Sequence, residues 1–74
     1  MCKTCTEHLA DIRKHNCEPK YSKQILLADC ETIHSEVRRN ACVNLVERYL
    51  DDVLQVIRDP PTNYYCNIMR FCQE

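Results

Sequence analysis

The sequence predicts an all-α domain locked by disulfides. Three observations predict it: seven of the 74 residues are cysteine, glycine is absent, and the three prolines stand at 19, 60 and 61. Chains below about 80 residues seldom bury enough apolar surface to be stable by packing alone, and most are stapled by disulfides, a metal or a partner. Cysteine at this density belongs to disulfide scaffolds of oxidising compartments. Average usage would give about five glycines in such a chain. Tight hairpins and phosphate-cradling loops need glycine at positive φ, so its absence argues against a β-rich fold and a nucleotide-binding loop. With proline confined to two places, long stretches are left free for helix. The length allows a single domain, residues 1–74.

Apolar spacing places four helices in order. The first runs from about Cys2 to His15, because Cys2, Cys5, Leu9 and Ile12 recur at helical spacing. Pro19 disfavours helix at Glu18 and ends it. The second starts near Ser22 as N-cap and carries Ile25, Leu26, Cys30, Ile33 and Val37 on its inner face. The run "RRN" closes it, and Asn40 is placed to cap the next. The third gives the strongest pattern: Val43, Val46, Leu50, Val53 and Ile57 follow a 3-4-3-4 spacing. Leu45, Tyr49, Leu54 and Val56 widen that stripe, and "DPPT" stops it. The fourth spans about Thr62 to Gln73, with Tyr65, Cys66, Ile68, Met69 and Cys72. No repeat, linker or low-complexity segment interrupts the chain.

Seven cysteines allow on the order of a hundred sets of three bridges plus one thiol. If the first and last helices pack antiparallel, the bridges nest: Cys5 with Cys66, and Cys2 with Cys72. Cys30 and Cys42 flank the expected turn between the second and third helices and would staple that hairpin. Cys17 is then a free thiol in the loop after the first helix, either buried or available to pair two chains. Structural zinc is the rival. Cys2-x-x-Cys5 has finger-like spacing, and His8, His15, Cys17 and His34 are candidate ligands. Only one C-x-x-C exists, however, and Cys66-x5-Cys72 is not a zinc-knuckle spacing. The expectation is therefore disulfides, with no metal and no other cofactor.

The net charge of −1 offers no basic field for nucleic acid. No apolar run approaches the ~20 residues that span a bilayer. No secretory signal is present, so a secreted chain is expected to have had its leader removed. A disulfide framework takes six of the seven cysteines, no Ser-His-Asp set stands out, and Cys17 with His15 is a weak catalytic pair, so no enzyme activity is expected. The basic runs "RKH" and "EVRR" read as solvated helix faces. The three histidines, with an ordinary pKa of about 6.5, would carry the formal charge from −1 toward +2 near pH 5. Attraction to anionic lipid would rise accordingly.

In order, Cys2, Cys5, Cys30, Cys42, Cys66 and Cys72 resemble the cysteine framework of the saposin-like (SapB-type) family. "YSKQILLADC", "CVNLVERYLDDVLQVI" and "YCNIMRFC" resemble segments of the same family, so the resemblance covers the whole chain. It implies a leaf of four to five helices with the nested bridges given above. It also implies lipid or anionic-membrane partners, no catalysis, and a secreted, lysosomal or acidic-vesicle location. The apolar surface expected to meet lipid comprises Ile25, Leu26, Ile33, Val37, Val43, Val46, Tyr49, Leu50, Val53, Leu54 and Ile57. The stripe around Val53 is wider than one buried face of so small a bundle, and two readings stand equal: plain core, or a surface for lipid or for a second copy in a homodimer. Two other readings share the scaffold: a membrane-lytic, pore-forming effector, and a protein-interaction module without lipid activity.

Overall fold

The computed structural model describes residues 2–58 and 64–72. Five helices form there: α1 (Cys2–Lys14), α2 (Pro19–Cys30), α3 (Glu36–Arg48), α4 (Leu50–Arg58) and α5 (Tyr64–Ile68). No strand occurs among the described residues. The bundle is flattened, 31 × 27 × 16 Å, and three disulfides lock it.

Cys5, Leu9 and Ile12 of α1 are fully buried, as their helical spacing requires. The helix ends in a Schellman turn. Asn16 donates its N–H to the Arg13 carbonyl (2.9 Å) and Cys17 donates to the Ile12 carbonyl (2.9 Å). Asn16 takes the left-handed conformation there (φ 58°), which asparagine tolerates better than most residues. The apolar pair that accompanies such a turn is Ile12 and Cys17, both in one buried cluster. The free thiol is thus the plug of a helix end.

The second helix begins earlier than Ser22. Pro19 occupies its first turn, where the missing N–H would have had no partner anyway. Glu18 caps it, accepting from the N–H groups of Lys20 (3.2 Å) and Tyr21 (2.7 Å). Ser22 is not the cap; it lies buried inside α2. The helix also ends earlier than expected, at Cys30. Ser35 then caps α3, its hydroxyl accepting from the Arg38 N–H (3.3 Å), with Glu36 favourably placed in the first turn. Val37 therefore opens α3 rather than lining α2, and Asn40 lies inside a helix instead of capping one.

The long third pattern is two helices. At Tyr49 (φ −123°, ψ 32°) the chain breaks direction between α3 and α4, although Tyr49 still donates to the Leu45 carbonyl and accepts from Val53. The expected fourth helix is short. Residues 62, 63 and 73 lie outside the described residues, and α5 closes with a second Schellman pair: Arg70 donates to Asn67 (3.1 Å) and Phe71 to Cys66 (2.9 Å). Its left-handed position is filled by Arg70 (φ 62°).

The disulfides join Cys2 to Cys72, Cys5 to Cys66 and Cys30 to Cys42, with Cα separations of 4.6, 6.0 and 5.6 Å. Cys30 closes α2 beside the turn at residues 31–32 and Cys42 lies in the middle of α3, so the pair flanks the connection between the two helices. With Cys2 and Cys5 oxidised, the finger-like pair has no thiolates to offer zinc. Three bridges at ~2–4 kcal/mol each rival the net stability of a small domain and point to an oxidising environment. Among the described residues no helix is long and apolar enough to cross a membrane.

Candidate functional site

The interior contains most of the apolar surface expected to meet lipid. Leu26, Ile33, Val46, Val53, Leu54 and Ile57 are buried in one cluster with Leu9, Ile12 and Tyr65, and Ile25, Val43 and Leu50 pack half-buried against it. Val53 is 5% exposed, so in this closed form it faces neither solvent nor a second chain. Only Val37 (79% exposed) and Tyr49 (55%) stand outside. The break at Tyr49 explains the wide stripe: α3 buries Cys42 and Val46, while α4 turns to bury Val53, Leu54 and Ile57.

The covalent plan divides this interior. Two bridges tie α1 to α5 and the turn after it, and the third ties α2 to α3. No disulfide joins one pair to the other. Leu9 and Ile12 on one side and Leu26 and Val46 on the other could therefore part without breaking a covalent bond.

Polar contacts cross that seam. Asp29 of α2, only 2% exposed, accepts from His8 Nδ1 of α1 through both carboxylate oxygens (2.8 and 3.0 Å). Burial raises the Asp29 pKa above the ordinary carboxylate value, and His8 partly opposes this. The Tyr65 hydroxyl is buried without a hydrogen-bond partner, and burial, with the Asp29 charge adding to it, pushes its pKa far up. A second contact across the seam is the Tyr21 hydroxyl donating to Asp11, which raises the Tyr21 pKa. His15 stacks on that tyrosine ring, centroids 4.1 Å apart. Of the three histidines, then, only His34 is a plain surface residue. The carboxylate of Asp29 was visible in "ILLADC", where it falls three residues after Leu26 on the apolar face, but its histidine partner, 21 positions away, was not.

Open hollows lie at opposite ends of α1. One, of about 460 Å³, is lined by Arg13, Asn16, Cys17 and Arg58, and Arg13 Nε donates there to the Ile57 carbonyl (2.8 Å). The other end has two adjoining hollows, of about 330 and 190 Å³, that share Ile33, Arg38 and Arg70. No family model, curated protein or solved structure matches this chain.

Proposed function

We propose that this chain is a saposin-like protein that binds lipid and acts at membranes, without catalysis of its own, in a secreted or lysosome-like compartment. The observation that carries the reading is the division of the apolar interior by its disulfides. α1 with α5, and α2 with α3, form two covalently closed pairs whose facing sides are apolar. The six cysteines pair as the family resemblance implies, which supports the same reading. Separation along the seam would present Leu26, Val46 and their neighbours to acyl chains, and closure would return them to the core. Burying an acyl chain in place of that core contact keeps apolar surface from water in both states, so the two differ little in hydrophobic free energy.

Native mass spectrometry of the protein after exposure to a lipid extract tests the proposal, together with transfer of labelled lipid between vesicles. The expected result is copurified lipid and transfer without release of vesicle contents. Release of contents would favour lysis. Protein that retains no lipid and pellets with no vesicle would leave a scaffold without lipid activity.

A further inference from the structure

The end of the leaf formed by the start of α3 and the turn after α5 combines cations with exposed apolar side chains. Arg38 and Arg70 line both hollows there, His34 lines one of them, and none of the described lining residues is acidic. Arg38 donates through Nη2 to the Met69 carbonyl (3.3 Å), which leaves its other guanidinium donors available. Among the described residues, Arg70 has no ion-pair partner. Beside them runs an apolar strip. Val37 and Ala41 are one turn apart on α3, both exposed, and Ala41 shares the smaller hollow with Ile68, itself 49% exposed. The nearest acid on α3 is Glu36, in its first turn.

We propose that this end docks the closed protein on anionic phospholipid bilayers. Arg38 and Arg70 bind lipid phosphates, and Val37 and Ile68 enter the headgroup boundary. The occupant follows from charge complementarity: guanidinium forks match phosphate oxygens, and exposed aliphatic groups beside cations suit an interface that is anionic outside and apolar beneath. The chain as a whole is slightly acidic, so attraction must come from a local cluster. The inference rests on the lipid-binding reading above and adds where, and in which state, the membrane is met.

Arg70 supplies a clean test. It holds a left-handed backbone position that glycine adopts without cost, so Arg70→Gly removes the cation while easing the fold. Co-sedimentation with phosphatidylcholine vesicles, with and without phosphatidylserine, is measured for the wild type, Arg70→Gly, Arg38→Gln and a Lys20→Gln control on α2. Each arginine variant is expected to weaken anionic-vesicle binding roughly fivefold, since a cation near such a surface is worth about 1 kcal/mol. The Lys20 variant should change less than twofold, and Arg70→Gly should melt no lower than wild type. Wild-type binding that is equal with and without phosphatidylserine, or unchanged in both arginine variants, overturns this docking end and leaves lipid binding standing. A wild type that binds neither vesicle and retains no lipid removes both. Self-association in sedimentation that Val37→Ser abolishes assigns the face to a second copy and overturns the proposal.

Discussion

The start of α3 and the body of α4 carry the same kind of residue with opposite fates. Val37 is among the most exposed apolar side chains described, whereas Val53 is in the core. In the sequence both belong to apolar stripes of similar spacing. What separates them is where each helix begins. Ser35 starts α3 so that Val37 falls in its first turn, beyond the packed part of the bundle. The break at Tyr49 starts α4 so that Val53, Leu54 and Ile57 all turn inward. Helix boundaries, more than hydrophobicity, decide which valine is core and which is free to meet a partner.

The strongest way to break the comparison is to charge the buried valine. Val53→Asp places an unpaired carboxylate in a closed core and should cost several kcal/mol. For a domain of this size each kcal/mol lowers the melting temperature by roughly 4–8 °C, so the loss should be plain with all three disulfides intact. A Glu47→Gln control on the exposed side of α3 should melt as wild type. A Val53→Asp protein with an unchanged melting temperature would return Val53 to the surface.

A smaller effect is expected at the boundary itself. Ser35→Ala removes the hydroxyl that accepts from the Arg38 N–H and should cost about 1 kcal/mol by denaturant titration. Ser35→Asp should recover most of it, because a carboxylate can cap and also favours the helix N-terminus. Equal stability of all three proteins would mean that the cap does not set the start of α3.

Much of this was legible from residue types alone. Absent glycine and dense cysteine led to an all-helical, disulfide-locked domain, and one-turn cysteine spacing led to the nested bridges, which the structure contains. Boundaries were less legible, for two physical reasons. Pro19 reads equally as a stop for one helix and a first-turn residue for the next, and only the Glu18 cap decides. A helix broken without glycine or proline, as at Tyr49, leaves no local mark in the sequence. The left-handed turns at Asn16 and Arg70 were hidden for the same reason, since both use residues other than glycine. The His8–Asp29 contact depends on the packing of α1 on α2 and had no local signal.

That contact makes a weaker, pH-dependent prediction. The Asp29 pKa is raised in the folded protein, so its proton is held more tightly there than in the unfolded chain. The stability this adds is fully present below the unfolded value of about 3.9 and is lost as pH rises through the raised folded value. Acid therefore favours the folded state through Asp29, because burial disfavours its carboxylate. Asp29→Asn should flatten this part of the stability profile, measured by denaturant midpoints between about pH 4 and pH 7. An unchanged profile in the variant would place the pH dependence elsewhere.

The smallest effect on stability is expected where the comparison began. Val37→Asp sets a carboxylate in the first turn of α3, in water, near unsatisfied backbone N–H groups at the positive end of the helix dipole. Stability should stay within about 0.5 kcal/mol of wild type or rise slightly, opposite in sign to the same substitution at Val53. Binding to anionic vesicles should nonetheless fall further than it does for Arg38→Gln. The new charge is repelled by lipid phosphates, competes for the Arg38 guanidinium, and removes an apolar side chain from the headgroup boundary. Melting temperature and co-sedimentation of one sample read both effects. An unchanged melting temperature with unchanged binding would show that Val37 is exposed without touching a membrane, and the docking end would then contract to its arginines.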